Sequence, residues 1–194
     1  MSAAPVWLRD ALLALSAAAV LIGIVELCQL ARGRRRVLAG YGWETEFTHL
    51  LMNAAMAAMM TPLWSGALAR TSATAIALCA LLLVIVPALR RRPPAGQRSV
   101  VVIAAIIHVA AALLMAWLIV GMAPAPMRAM AMPHPLVWLE RACAAFFLFD
   151  LASVVTLTVF AGRLPQRLRT AAPLMSIVPH VAMDVGMIGM LLVG

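Results

Sequence analysis

Six stretches of mostly apolar residues, each about 17 to 25 long and so able to cross roughly 30 Å of hydrocarbon as a helix, organise the chain. They cover about residues 7–31, 44–64, 72–89, 99–122, 135–161 and 173–193, with short segments rich in Arg, Pro or Gly between them. Helices are the form in which a spanning segment satisfies its own backbone polar groups. Composition points the same way: the 194 residues are 65% apolar and 11% charged, with mean hydropathy +1.02. A water-soluble domain of this size does not carry such a balance. The expected fold is all-α, a polytopic bundle of six transmembrane helices forming one domain over residues 1–194, with the lipid bilayer as its first partner.

Charge adds an orientation. All 15 basic residues are Arg, and 11 of them fall in three loops, Arg32 to Arg36, Arg90 to Arg98 and Arg163 to Arg169. These loops follow helices 1, 3 and 5, so the positive-inside rule puts them in the cytoplasm and both chain ends outside. The net charge of +8 then reflects topology and contact with anionic lipid, and argues for no nucleic-acid partner. The first span lacks a basic segment ahead of it and is followed by Arg, so it reads as a retained helix rather than a signal peptide. High Ala and Arg content without Lys fits a high-GC bacterial origin and a plasma-membrane location.

Against this apolar background the polar exceptions carry the chemistry. His49-Leu-Leu-Met52-Asn53-Ala-Ala-Met56-Ala-Ala-Met59 is matched by His180-Val-Ala-Met183-Asp184-Val-Gly-Met187-Ile-Gly-Met190. At about 100° per residue, the His and three Met of each copy occupy a stripe roughly 80° wide on one helix face. The fourth span keeps part of the pattern, His108 with Met115 seven residues on. Helices 2, 4 and 6 run in the same direction and carry these His at similar depth. The chain therefore reads as three pseudo-repeated hairpins. Arranged about an axis along the membrane normal, as parallel repeats can be, they would bring three imidazoles together.

A thioether ladder beginning at an imidazole suits a soft ion such as Cu(I). The same residues also make an ordinary packing seam, because Met fills irregular gaps between helices. The segment between helices 4 and 5 holds Met127, Met130, Met132 and His134, which either collect a soft ion outside the membrane or dip into the bilayer surface. Glu26, Asp150 and Asp184 are costly inside a membrane unless paired or lining a cavity. A carboxylate could fix the tautomer of a ligand His, or it could simply lock helices by hydrogen bonding. Glu26, near the inner interface, could snorkel or meet Arg32. Cys28, Cys79 and Cys143, an odd and scattered set, read as packing residues rather than a disulfide framework. Trp64, Trp117 and Trp138 fit an outer aromatic belt.

No P-loop, G-x-G-x-x-G, C-x-x-C or haem-attachment motif occurs, and no nucleophilic triad can be placed, so an enzyme is the weaker expectation. Three functions remain open. The first is a membrane protein that binds or conducts a soft metal ion, Cu(I), through His49, His108, His180, Asp184 and the Met ladders. The second is a metal-free accessory or scaffold subunit, as a homo-oligomer or within a membrane complex. The third is an electron carrier holding b-type haem between His-bearing helices. The His-x2-Met-x3-Met-x2-Met helix, the His108 helix with Met115 and Trp117, the Glu26-Leu-Cys28 end of helix 1 and the Met-rich terminal helix resemble an actinobacterial family of small polytopic membrane proteins of unknown function. That resemblance implies a six-helix or similar bundle in the plasma membrane and no particular activity.

Overall fold

The structure, a computed structural model, describes residues 6–32, 42–89, 98–121, 137–160 and 174–193. Among them are six α-helices and no strand: α1 (Val6–Ala31), α2 (Trp43–Met59), α3 (Gly66–Leu89), α4 (Arg98–Gly121), α5 (Val137–Val159) and α6 (Leu174–Val193). Three are long and apolar enough to cross a membrane by length and composition, Val6–Ala31, Gly66–Val86 and Val102–Gly121. They point to a bilayer environment. A shorter apolar stretch covers Ile177–Leu191.

The second helix is shorter than its apolar run, and local chemistry explains where it stops. Beyond Met59 the chain tightens, with Met60 N–H donating to Ala57 O and Thr61 N–H to Ala58 O. The Thr61 hydroxyl also donates to Ala58 O at 2.8 Å. Pro62, with no N–H to give, cannot extend the ladder. Ser65 then caps α3, its Oγ accepting from Leu68 N–H at 3.2 Å. At the other end of α2, Glu44 and Glu46 sit in the first turn, where the helix dipole favours negative charge.

Neighbouring helices close into a ring. Each hairpin partner packs on the other, α1 on α2, α3 on α4 and α5 on α6. In addition, the leading helix of each hairpin touches the returning helix of the hairpin before it: α3 on α2, α5 on α4 and α1 on α6. That cyclic pattern is what three repeats about an axis produce, although α5 meets α4 only slightly. Helix α2 also reaches α6 and α4, so the returning helices form the inner layer.

The distribution of polarity is the reverse of a soluble core. Leu21, Leu78, Ile106, Leu113, Leu148 and Phe149 are exposed, while Ser16, Glu26, Glu44, Glu46, Thr48, His49, Asn53, His108, Asp150, His180 and Asp184 are buried. Exposed hydroxyls satisfy themselves on their own helix, as Thr71 does on Ala67 O and Ser153 on Phe149 O, both at 2.8 Å. Trp64 and Trp117 are half-buried and pack against the inner cluster, and the Trp138 side chain is outside the described residues. Glu26 is buried, not snorkelling. Cys79 and Cys143 are buried as packing residues should be, whereas Cys28 is exposed.

Small residues set the closest approaches. A Cβ on Gly186 of α6 would lie 2.9 Å from Met56 Sδ on α2, and one on Gly189 would lie 3.2 Å from Leu12 Cδ1 on α1. Absence of side-chain bulk there is what lets α6 seat against its neighbours. Gly186→Val is expected to cost roughly 1 to 3 kcal/mol through overpacking. Thermal unfolding in detergent should show a midpoint several degrees lower, with Gly121→Ala as the control because nothing among the described residues lies within 4 Å of its Cβ position. An unchanged midpoint for Gly186→Val would mean that the Met56 thioether swings aside and that this contact does not limit the packing of α6 on α2.

Candidate functional site

Three helices each bring one imidazole to the same place. His49 from α2, His108 from α4 and His180 from α6 are all buried, with ring centroids 4.8 Å apart for His49 and His180, 5.2 Å for His49 and His108, and 5.3 Å for His108 and His180. One ring nitrogen from each lies within 4.8 Å of the others. The sequence locates these His on parallel helices at similar depth, and the fold turns all three inward.

Hydrogen bonds assign a role to each ring nitrogen. His180 Nε2 lies 3.1 Å from Asp150 Oδ2, so in a neutral ring it is this nitrogen that carries the proton and donates it to the carboxylate. His180 Nδ1 is then an acceptor, and His49 Nε2–H donates to it across 3.1 Å. The remaining His49 nitrogen, Nδ1, is buried without a hydrogen-bond partner among the described residues. On α4, His108 Nδ1–H donates to Ala104 O at 2.7 Å, which leaves Nε2 as its basic nitrogen. An N–H fixed on carbonyl or carboxylate, with the opposite nitrogen basic, is how ligand imidazoles are held at metal sites.

Two acids complete the site. Asp150 comes from α5, so that helix contributes although it bears no His of its own. Asp184, one turn after His180 on α6, places Oδ2 3.5 Å from His180 Nε2. Both carboxylates therefore converge on one nitrogen, and Asp150, His180 and Asp184 also have donor atoms within 4.8 Å of one another. Glu46, in the first turn of α2, is close enough to act on His180 electrostatically. Sequence reasoning offers Asp150 and Asp184 as carboxylates that could hold the ring N–H of a ligand His without saying which His, and it passes over Glu46. A carboxylate in a helix that is apolar all round shows that it must be buried, not which neighbour it meets.

Asn53 and Asp184 stand at the same step of the two matching helices and do different things. The Asn53 amide donates to His49 O at 2.9 Å on its own helix and to Pro179 O at 3.0 Å on α6. It thereby joins the backbone beside one imidazole to the backbone beside another. Pro179 lies inside α6, immediately before His180, where its missing N–H loosens the helical ladder.

The Met residues of both ladders face inward. Met52, Met56, Met115, Met183, Met187 and Met190 are buried in one apolar cluster, and Met59 packs half-buried against it. This arrangement continues the interior beyond the imidazoles and satisfies the packing requirement at the same time. Met127, Met130, Met132 and His134 lie outside the described residues.

These features define an all-helical protein whose exterior is apolar and whose centre is a His and Asp cluster drawn from four helices. Over residues 42–194 the chain matches a domain of unknown function, DUF5134, and it belongs to that family. No curated protein and no solved structure matches it. The matched region contains every residue of the cluster.

Asn53→Ala removes both amide bonds and should cost about 1 kcal/mol, the usual scale for interhelical hydrogen bonds in membrane proteins. Asn53→Asp, which keeps the shape and removes the N–H donors, should cost at least as much. Thermal unfolding in detergent measures both. A wild-type midpoint in Asn53→Ala would show that the bond to Pro179 does not hold α2 and α6 together.

Proposed function

We propose that this is a multi-pass membrane protein that binds and conducts a transition-metal ion through the centre of its bundle, with copper as the leading candidate. The observation that carries the reading is the convergence of His49, His108 and His180 from the three returning helices. Trigonal nitrogen ligands around an ion with bonds of about 2.0 Å stand roughly 3.5 Å apart, so small ring movements would close the present spacing. An ion would replace the His49 to His180 hydrogen bond and bind through His180 Nδ1, His108 Nε2 and a nitrogen of His49. Imidazole accepts Cu, Zn, Fe and Ni, and the buried Met residues bias the interior toward Cu(I). Graded thioether sites beyond the imidazoles suit passage, which requires binding weak enough to release.

Contact between the rings favours an ion over haem. His49 and His180 are hydrogen-bonded at 3.1 Å, which leaves no slot for a porphyrin between them. The purified protein is therefore expected to lack a Soret band after haem-replete expression.

In this reading all six helices cross the bacterial plasma membrane, the Arg-rich loops face the cytoplasm, both ends face outside, and the segment from Met127 to His134 collects the ion. The remaining exposed apolar surface contacts lipid. Supporting this orientation is the concentration of Arg after α1, α3 and α5.

Protein purified under reducing conditions and loaded with Cu(I) is expected to retain about one ion per chain on the simplest reading of a three-ligand site. A His49→Ala, His180→Ala variant should retain little. Equal copper in both, measured by elemental analysis with matched elution profiles, would end the copper reading. For topology, a single Cys placed at Arg91 should react with a membrane-impermeant reagent only after the cells are opened. Labelling in intact cells would reverse the orientation.

A further inference from the structure

Orienting a ligand imidazole takes one carboxylate, and this cluster has two. Asp150 Oδ2 already accepts from His180 Nε2 at 3.1 Å, whereas Asp184 Oδ2 sits 3.5 Å from the same nitrogen. Neither oxygen of Asp184 has a hydrogen-bond partner among the described residues, although its side chain is completely buried. A single N–H cannot satisfy two carboxylates, and a buried carboxylate left without donors is expensive. The two acids come from different helices, α5 and α6, so their meeting is not a by-product of one helix face.

We propose that Asp150, Asp184 and His180 Nε2 form a second cation site, for a borderline divalent ion such as Zn2+, adjoining the three-imidazole set and sharing His180 with it. The proposal rests on the reading above only in treating His180 as a ligand. An ion here gives both carboxylates a common partner, and mixed imidazole and carboxylate ligands suit Zn2+. A neutral imidazole has one lone pair, so His180 serves one set at a time. With an ion on Nδ1, the ring proton stays on Nε2 and is donated to Asp150. With an ion on Nε2, the proton sits on Nδ1 and is donated to His49 Nε2, so the same 3.1 Å contact serves in the opposite sense. The two sets thus differ in chemistry: imidazoles on the Nδ1 side of the His180 ring, and carboxylates on the Nε2 side.

Zn2+ binding to detergent-purified protein, measured by equilibrium dialysis and elemental analysis, tests this. A His49→Ala, His108→Ala variant is expected to keep one Zn2+ per chain, held by Asp150, Asp184 and His180. Adding Asp150→Asn and Asp184→Asn to it should weaken that binding at least tenfold. If the two variants bind Zn2+ equally, the second site is wrong, even where wild-type protein still takes copper on its imidazoles. If wild-type protein binds no copper while the His49→Ala, His108→Ala variant keeps its carboxylate-dependent Zn2+, the copper reading fails and this site stands. Wild-type protein supplies a measurement that needs no altered fold. Zn2+ loading should shift the infrared carboxylate stretches, a shift missing from Asp150→Asn, Asp184→Asn, and wild-type spectra with no carboxylate change would overturn the proposal.

Discussion

The run of contacts from Asp150 through His180 to His49 is the constraint around which the bundle is arranged. Two bonds of 3.1 Å join α5, α6 and α2 at one point inside a body whose surroundings are apolar. In such surroundings an unpaired imidazole or carboxylate has no solvent to turn to, so the groups must find one another. His180 is the pivot because it uses both ring nitrogens on side chains. The returning helices therefore have to sit in the inner layer, since α2 and α6 could not otherwise bring their rings into contact.

Register along the helix axes comes from a different device. Asn53 donates to the backbone of His49 and of Pro179, so it ties α2 and α6 at the same level as the rings they present. The Gly186 and Met56 contact holds the same two helices close one turn further on. Polar clamp and small-residue seat act together: the first fixes depth, the second fixes distance. Sulfur then fills the space between them, which explains why buried Met recurs where β-branched residues could not adapt to so uneven a gap.

Much of the fold is legible in the sequence because a run of apolar residues about a bilayer thick has few alternatives to a helix. Each of the six helices overlaps its predicted run, while α2 ends early at Pro62 and the tight turn ahead of it, and α3 starts six residues before the expected residue 72, at Gly66 after the Ser65 cap. Recurrence of His49 and His180 in one setting, with His108 as the partial third copy, also indicates that the returning helices are equivalent. Which face points inward is less legible. A helix apolar on every side, as α5 is, offers no stripe to orient it, so Asp150 could be recognised as buried but not as the partner of His180. The match between Asn53 and Asp184 misleads in another way. Equal positions in two repeats suggest equal duties, yet the amide bridges backbones and the carboxylate faces an imidazole.

That divergence bears on what the duplicated ladder is for. If packing alone had preserved it, the step after the first Met would need only a small or apolar side chain in both copies. Instead one copy carries an amide that joins two helices, and the other a carboxylate buried without a hydrogen-bonded donor among the described residues. The amide nitrogen makes two bonds, although Asn53 Oδ1 has no hydrogen-bond partner among the described residues, whereas Asp184 gains only a longer contact to a nitrogen already engaged by Asp150. A carboxyl group buried beside an imidazole makes physical sense where a cation visits. The asymmetry between the two copies, more than their likeness, is what favours the proposed binding centre over a packing seam.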